Sequence, residues 1–369
     1  MASIFEELEK KGHEQVIFCA DEVTGLRAII AVHDTTLGPA LGGTRMWRYE
    51  DEAAALRDVL RLSRGMTYKS AAAGLNLGGG KAVLIGDSKT QKNEMLFRAY
   101  GRYIQGLGGR YITAEDVGTS VQDMEWVRME TDYVVGISRA LGGSGDPSPY
   151  TALGVYVGTK AALKWISGNE SLAGRTVAVQ GVGHVGYHLV KHLAKDGAKV
   201  FVSDIDSDNL TRVTSEFRGV EVVSPEQIYS VPCDVFAPCA LGAVVNDDTI
   251  ERFRCSVVAG CANNVLADED KHSAELERRG ILYAPDYVIN AGGLINVASE
   301  LQGYNNERAV AQVQNIYTII SQILQISRDE NMSTLKAANR LAERRIDAIA
   351  RIKDTFAGAP LTRRPGSSS

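Results

Sequence analysis

Two lysines and one aspartate lie among glycines in the first third of the chain. Lys69 ends the segment Gly-Met-Thr-Tyr-Lys, Lys81 follows three glycines, and Asp116 ends Ala-Glu-Asp. One ammonium can neutralise the α-carboxylate of an amino or oxo acid, and a second amine, crowded and partly removed from water, has a lowered pKa. Asp116 can then move a proton to or from a substrate nitrogen. Spacing alone leaves open that the lysines are exposed strand-end charges and Asp116 a turn former.

The Gly-Gly-Gly-Lys run at 78–81 is similar to part of a phosphate-binding Walker loop. The Walker pattern needs Gly at position 75 and Ser or Thr at position 82, where this chain has Leu75 and Ala82. We therefore exclude a Walker loop and predict that these glycines allow the backbone to approach a small ligand closely.

A dinucleotide-binding pattern, G-x-G-x-x-G, is formed by Gly181, Gly183 and Gly186. An apolar β-type run at 176–179 precedes it, a segment of helical periodicity follows it, and a second β-type run ends at Asp204. Glycines at these positions allow a tight turn, close approach of a pyrophosphate and close helix–strand packing, and the helix N-terminus favours phosphate. Asp204 would accept hydrogen bonds from the adenosine ribose and repel a 2′-phosphate. The pattern predicts NAD rather than NADP.

Size and composition narrow the class of protein. The chain has 369 residues, enough for two domains, with 44% apolar and 23% charged residues and a net charge of −5. The chain has no long block of like charge of the kind that binds nucleic acid, and no apolar run is long enough to span a membrane. The N-terminus lacks the pattern of a signal peptide. We expect a cytoplasmic protein with no nucleic-acid or membrane partner.

The possible metal ligands are few. His184, His188 and His192 lie at the spacing of one helix face, but no cysteine or carboxylate cluster lies near enough in sequence to complete a metal site. The five cysteines form no C-x-x-C pair and are expected to be reduced. We predict no metal.

The order of elements predicts an α/β fold of two domains separated by a cleft. Residues 1–149 combine an antiparallel hairpin, helices and short strands, and form the first domain. The glycine- and proline-rich stretch 136–149 is the predicted hinge. Residues 150–330 alternate strands and helices as in a Rossmann-type NAD-binding domain with a doubly wound parallel sheet. Helices in 331–369 are predicted to complete the first domain or to join subunits.

Several longer segments carry a family resemblance in the same order along the chain. They are 35–45, 65–69, 74–81, 111–116, 180–183, 236–242, 260–264 and 283–293. These segments resemble the amino-acid dehydrogenases that act on glutamate, leucine, phenylalanine or valine, and most of all the leucine-specific branch. The resemblance extends from about residue 3 to about residue 350.

The resemblance implies reversible oxidative deamination of an L-amino acid to its 2-oxo acid with NAD. Lys81 would activate the water that attacks the imine carbon, and Asp116 would handle the amine protons. The substrate carboxylate would be bound by Lys69 with backbone groups of Gly42, Gly43 and Met66. A homo-oligomer, commonly an octamer in the leucine-specific enzymes, is also implied, with 1–149 as the substrate-binding and oligomerisation domain.

The same resemblance assigns residues to the cofactor. Thr151 would contact the nicotinamide amide, Asn263 the ribose or the substrate, and Asn290 the nicotinamide end or the substrate carboxylate. The remaining cofactor contacts would be Gly181, Val182, Gly183, His184, Val185, Gly186, Asp204, Ile205 and Ala240.

Substrate preference depends on four positions that would line the side-chain pocket: Leu41, Ala114, Leu294 and Val297. All four are apolar, which suits a branched aliphatic side chain and excludes glutamate. Ala114 resembles the leucine-specific enzymes, whereas Leu294 resembles the aromatic-specific ones. We expect leucine, with valine and isoleucine accepted, and keep a phenylalanine-type or other aromatic-specific enzyme as the alternative. A catalytically silent NAD-binding sensor is disfavoured because Lys81 and Asp116 are both present.

Overall fold

The computed structural model describes residues 4–240 and 242–353. The N-terminal unit is built on a five-stranded mixed sheet of order β1-β2-β4-β3-β5. Its strands are β1 (Gln15–Asp21), β2 (Leu26–Asp34), β3 (Ala40–Trp47), β4 (Gly78–Ile85) and β5 (Tyr111–Glu115). The predicted hairpin is confirmed, because β1 and β2 pair antiparallel. Strand β3, which lies parallel between β4 and β5, was not predicted from the sequence.

Four helices accompany this sheet: α1 (Ile4–Lys11), α2 (Glu52–Ala72), α3 (Glu94–Gly106) and α4 (Val121–Arg128). Helix α2 begins after Asp51, whose carboxylate accepts a hydrogen bond of 2.6 Å from the backbone N–H of Ala54. An oxygen at this position satisfies one of the free amides of the first turn. The apolar face of α2 is buried against β2 and β4, which holds its last turn, with Lys69, at the edge of the cleft.

The second unit contains a six-stranded parallel sheet of order β11-β10-β9-β6-β7-β8. The strands are β6 (Thr176–Gln180), β7 (Lys199–Ser203), β8 (Val220–Val222), β9 (Val235–Pro238), β10 (Val257–Val258) and β11 (Leu282–Tyr283). The strand order reverses between β6 and β9, so the chain leaves a crevice there at the carboxyl ends of the strands. The predicted doubly wound α/β fold is confirmed.

The helices of the second unit lie before and between these strands, and the last two follow β11. They are α5 (Ser148–Ser167), α6 (His184–Lys195), α7 (Ser207–Glu216), α8 (Asp247–Ile250), α9 (Glu269–Arg278), α10 (Asp286–Ile289) and α11 (Gly292–Ala298). A large apolar core joins the sheet to α5, α6 and the helices that follow α11. No helix within 4–240 and 242–353 is long and apolar enough to cross a bilayer.

Three helices complete the described chain: α12 (Asn306–Gln314), α13 (Ile316–Glu330) and α14 (Thr334–Lys353). Helices α12 and α13 pack on α5, whereas α14 returns to the first unit and packs on α2. Arg345 on α14 donates hydrogen bonds to the carbonyl of Leu75 (2.6 Å) and to the side chain of Asn76 (2.7 Å). We retain the division at 149/150, with 331–369 completing the first domain, as a proposed organisation; residues 354–369 lie outside the described part.

Candidate active site

Lys81 and Asp116 form an ion pair in the first unit. Lys81 lies in β4 and is 5% exposed, and its Nζ is 3.2 Å from Oδ2 of Asp116, the residue that follows β5. Strand β3 separates these two strands, and its Gly43, which pairs with Ala114 of β5, lies next to Asp116. A Cβ at Gly43 would lie 2.9 Å from the Cβ of Asp116, too close for a side chain. Glycine at this position therefore lets the lysine and the carboxylate meet across β3.

The electrostatics of the pair follow from burial and proximity. Burial lowers the pKa of Lys81, and the neighbouring Asp116 carboxylate offsets only part of this effect. Burial by itself would raise the pKa of Asp116, but Lys81 and Arg45 outweigh it and the pKa is lowered. An amine that loses its proton more readily beside an ionised carboxylate suits proton transfer near neutral pH.

Lys69 joins the two units. It lies in the last turn of α2, and its Nζ donates a 2.6 Å hydrogen bond to Oδ1 of Asn290, which follows α10. The amide nitrogen of Asn290 in turn donates to Oδ1 of Asn263 at 2.8 Å. Burial, with a contribution from Lys81, lowers the pKa of Lys69 to about 8, although the nearby Asp286 opposes the shift. The predicted substrate lysine and two predicted cofactor asparagines thus lie in one chain of hydrogen bonds.

A cleft of about 240 Å³ lies between the units, next to these groups. Met66, Lys69, Lys81, Asp116 and Asn263 all contribute to its wall. Gly42 lies behind it in β3, where its carbonyl accepts a 2.6 Å hydrogen bond from the hydroxyl of Tyr111. The structure therefore brings together side chains that are far apart in sequence.

An apolar cluster adjoins this cleft. All four predicted pocket residues, Leu41, Ala114, Leu294 and Val297, belong to it and are buried. Four further buried members were missed from the sequence: Leu77, Ile112, Val135 and Ala298. Ile112 lies in β5, and Leu77 immediately precedes β4. The alternation of side chains between the two faces of a strand could have placed both on the inward face, whereas no local pattern marked Val135 and Ala298.

The role predicted for the glycines at 78–80 was wrong. All three are buried in β4, and a Cβ on any of them would collide with protein atoms. At Gly78 the nearest atom would be the carbonyl oxygen of Asp34 (2.0 Å), at Gly79 the hydroxyl oxygen of Thr67 (2.1 Å), and at Gly80 the ring of Tyr111 (2.6 Å). These glycines allow close packing of β4 against its neighbours rather than approach of a ligand.

The predicted dinucleotide loop lies where the sheet reverses, between β6 and α6. Gly181 has a φ of +90°, which favours glycine, and a Cβ on Gly186 would lie 2.1 Å from the carbonyl oxygen of Gly181. A Cβ on Gly183 would meet nothing within 4 Å, so the loop is open on that side. The predicted turn at Gly181 and close packing at Gly186 are confirmed, and the open side at Gly183 leaves room for a pyrophosphate at the start of α6.

The acidic residue after β7 is tied to this loop. Oδ2 of Asp204 accepts a 2.7 Å hydrogen bond from the backbone N–H of Val182, and Oδ1 accepts from that of Asp206 at 2.9 Å. Each carboxylate oxygen keeps a further lone pair for a ribose hydroxyl. The next side chain, Ile205, is 97% exposed, and an apolar side chain at that point offers a surface for a flat base. The residues present thus fit a dinucleotide.

The other predicted cofactor residues surround the same crevice. His184 and Val185 start α6, exposed and half-buried respectively, and Ala240 packs against Gly181. Thr151 lies on α5 of the same unit, where its hydroxyl donates to the carbonyl of Pro147 at 3.2 Å.

Within the described ranges, no group of three His, Cys, Asp or Glu side chains is arranged to hold a metal ion. Of the three histidines on α6, His184 is exposed and His192 stacks on Tyr156 with ring centroids 5.0 Å apart.

Fold and cleft together define a class of protein: a dehydrogenase that uses a nicotinamide dinucleotide. Residues 13–133 match the family model described as "Glu/Leu/Phe/Val dehydrogenase, dimerisation domain", and residues 142–211 and 202–353 match "Glutamate/Leucine/Phenylalanine/Valine dehydrogenase". The chain belongs to this family, which confirms the resemblance inferred from its motifs.

Relatives within the family differ in their substrates. The chain is 58% identical over 353 residues to leucine dehydrogenase of Bacillus subtilis, covering 96% of each chain. It is 47% identical to phenylalanine dehydrogenase of Bacillus thermotolerans, covering 97% of this chain and 94% of the relative. The crystal structure of L-tryptophan dehydrogenase from Nostoc punctiforme superposes with a TM-score of 0.84 at 48% identity, covering 95% of this chain and all of the other.

Proposed function

We propose that this chain catalyses the reversible NAD-dependent oxidative deamination of L-leucine, and of valine and isoleucine, to the 2-oxo acid and ammonia. The observation that carries the proposal is the ion pair of the buried Lys81 with Asp116, which lies in the same cleft as Lys69 and next to an apolar pocket. The higher identity to leucine dehydrogenases than to the aromatic-specific relatives supports leucine.

Substrate binding is assigned to Lys69. Its ammonium neutralises the substrate carboxylate, and backbone groups of Gly42, Gly43 and Met66 assist. The 2.6 Å bond to Asn290 holds the lysine amine toward the second unit, which helps to orient the substrate Cα.

Proton transfer is assigned to Lys81 and Asp116. Asp116 takes a proton from the substrate ammonium, so that the nitrogen lone pair can form the imine bond. The bound nicotinamide, when present, supplies the chemistry of accepting the hydride from Cα. Lys81, as the free amine, takes a proton from the water that adds to the imine carbon and releases it to solvent, and Asp116 returns a proton to the nitrogen of the resulting carbinolamine. Lys81 then takes the hydroxyl proton of the carbinolamine as its C–O bond becomes the carbonyl and its C–N bond breaks. Ammonia and the 2-oxo acid result.

The cofactor would be held at the crevice between β6 and β9. The loop amides of 181–186 would face the pyrophosphate, Asp204 the adenosine ribose, and Ile205 and Ala240 the adenine side. Thr151, Asn263 and Asn290 would hold the nicotinamide end.

The preference between NAD and NADP is assigned to Asp204. We expect Asp204→Ala to narrow the ratio of kcat/KM for NAD over NADP by about tenfold or more, because a carboxylate that bonds the ribose also repels a 2′-phosphate. Initial rates with each cofactor measure this ratio. Asp208→Ala, which removes a nearby exposed acid in α7, should leave it unchanged. Equal use of NAD and NADP by the parent would refute the assignment.

The alternative of an aromatic-specific enzyme rests on Leu294. We expect Leu294→Gly to raise kcat/KM for phenylalanine relative to leucine by roughly tenfold, because removing the side chain enlarges the pocket by several methylene groups. Leu294→Ala, which keeps helix propensity, should shift the ratio in the same direction by less. Rates on both substrates measure the shift, and an unchanged ratio in both variants would mean that Leu294 does not contact the substrate.

The function is tested by incubating the purified protein with NAD and a panel of L-amino acids and following NADH absorbance. Highest kcat/KM on leucine, valine or isoleucine is expected. If kcat/KM is highest on phenylalanine or tryptophan, the chain is an aromatic-specific member of the family. If no amino acid is turned over, the proposal is overturned.

Assembly and location extend the same proposal. We propose a homo-oligomer, for which an octamer is the expectation from the leucine-specific branch, and the description of 13–133 as a dimerisation domain supports self-association. Sedimentation of the purified protein measures its size. We place the enzyme in the cytoplasm, where it would meet NAD and free amino acids.

A further inference from the structure

Arg45 lies between two carboxylates beside the active-site pair. Its Nε donates to Oδ2 of Asp116 at 3.0 Å, and its Nη1 donates to Oδ2 of Asp58, on α2, also at 3.0 Å. The arginine side chain is 22% exposed, and the two carboxylates are 24% and 17% exposed. The guanidinium therefore links the residue after β5 to α2, the helix that carries Lys69.

Asp58 is itself held from two further sides. Its Oδ2 accepts a 2.7 Å hydrogen bond from the hydroxyl of Tyr49, and its Oδ1 accepts from Nη2 of Arg61 at 3.0 Å. A planar guanidinium that donates hydrogen bonds from two of its nitrogens has little rotational freedom. Arg45 is thus fixed before any substrate binds.

The bonds to Asp116 all fall on one oxygen. Oδ2 receives both Nζ of Lys81, at 3.2 Å, and Nε of Arg45. In the part of the chain that the structure describes, both of these contacts are to Oδ2, and no hydrogen bond to the other oxygen, Oδ1, is present. A carboxylate held at one oxygen by two cations has its second oxygen left for a substrate nitrogen.

We propose that Arg45, held by Asp58, is a positioning residue for the reaction: it fixes the carboxylate of Asp116 through Oδ2 so that Oδ1 meets the substrate nitrogen. The inference rests on the proposed function, because it concerns the residue assigned there to the amine protons. Arg45 is the last residue of the segment 35–45 and is not among the site residues predicted from the sequence.

The charge of Arg45 acts on both members of the pair. Burial is the largest influence on each group, lowering the pKa of Lys81 and raising that of Asp116, and Arg45 lowers both. Removing Arg45 should therefore raise the pKa of both groups. The ionisable side chains that act on Asp116 or lie beside it are Lys81, Lys69, Arg45, Glu115, Tyr49 and Tyr111.

The test compares Arg45→Gln, Arg45→Lys and Asp58→Asn with the parent in leucine oxidation across pH. For Arg45→Gln we expect kcat to fall by roughly 10- to 100-fold, with KM for leucine and NAD within about threefold, since binding groups are untouched. The acid limb of the kcat/KM profile should move to higher pH. Arg45→Lys should restore the position of that limb but only part of kcat, because an ammonium lacks the planar, forked geometry that bonds Asp116 and Asp58 at once. Asp58→Asn should lower kcat by less than Arg45→Gln.

Arg175→Gln is the matched control. It breaks an Arg–Asp ion pair of similar exposure, 2.7 Å long, with Asp234 at the opposite end of the parallel sheet from the cofactor crevice. This variant should keep the pH profile and kcat of the parent. An Arg45→Gln variant whose acid limb stays in place, or whose kcat loss equals that of Arg175→Gln, would overturn the proposal.

A second measurement does not depend on turnover. We expect the loss in unfolding midpoint for the double variant Arg45→Gln/Asp116→Asn to be smaller than the sum of the two single losses, because each single change removes the same contact. Additive losses would overturn the positioning role. If the parent turned over no amino acid, the proposed function would fail, while this cycle would still decide whether Arg45 holds Asp116.

Discussion

Lys81→Ala is expected to lose at least about 10³-fold in kcat while its affinity for NAD stays within about threefold. The size of this loss follows from the factor of about 10²–10⁴ that a positioned acid or base contributes to the rate. The positive charge beside the developing intermediate is lost as well. NAD affinity should survive because Lys81 lies in β4 of the first unit, whereas the dinucleotide loop lies between β6 and α6 of the second. Steady-state rates measure kcat, and isothermal titration calorimetry with NAD measures the affinity.

Lys92→Ala is the control for this experiment. Lys92 pairs with the buried Asp123 in the same unit, so its removal also breaks a lysine–aspartate contact there, away from the cleft lining. Turnover close to that of the parent is expected for Lys92→Ala. If Lys81→Ala kept turnover within tenfold of the parent, Lys81 could not be the group that activates water.

Lys69→Ala should instead act mainly on substrate binding. Loss of a half-buried cation that pairs with a carboxylate costs about 2–4 kcal/mol, or roughly 30- to 1000-fold in kcat/KM, with most of it in KM for leucine. The pKa of Lys69 is lowered to about 8, by burial above all, so the parent's lysine loses its charge as pH rises through that value. In the parent, KM for leucine should therefore rise above about pH 8, and in the variant this rise should be absent.

The control for Lys69 is Lys160→Ala, which removes a partly exposed lysine 3.9 Å from Asp196 in the second unit. It should leave KM for leucine and its pH dependence unchanged. A Lys69→Ala variant in which kcat falls and KM does not would assign this lysine to the chemical step instead of carboxylate binding.

The sequence was most informative where function depends on short stretches of backbone. Gly181 needs a positive φ and Gly186 needs a missing side chain, and both requirements are local, so the spacing of the glycines predicted them. The doubly wound sheet was also predicted, because the alternation of strands and helices along the chain is itself a pattern of the sequence. The side chains Lys69, Lys81 and Asp116 could be singled out because their neighbours in sequence are glycines and strand residues.

The same local argument failed at 78–80. Glycines before a lysine predicted room for a ligand, but the space beside Gly79 is filled by Thr67 on α2, and that beside Gly80 by Tyr111 on β5. A sequence pattern shows that a side chain is missing and does not show what occupies its place. The packing partner comes from a distant part of the chain.

The sequence by itself determined the family, the dinucleotide loop, the doubly wound sheet and the identity of the groups that could do the chemistry. Only the tertiary structure decided how they meet. Strand β3 inserts between β4 and β5, so Lys81 and Asp116 face each other across Gly43, and the same insertion brings Arg45 to the carboxylate. These contacts depend on the register of strands that are distant in sequence, and that register is set by the packing of β2 and β4 against α2 and of β5 against α3 and α4.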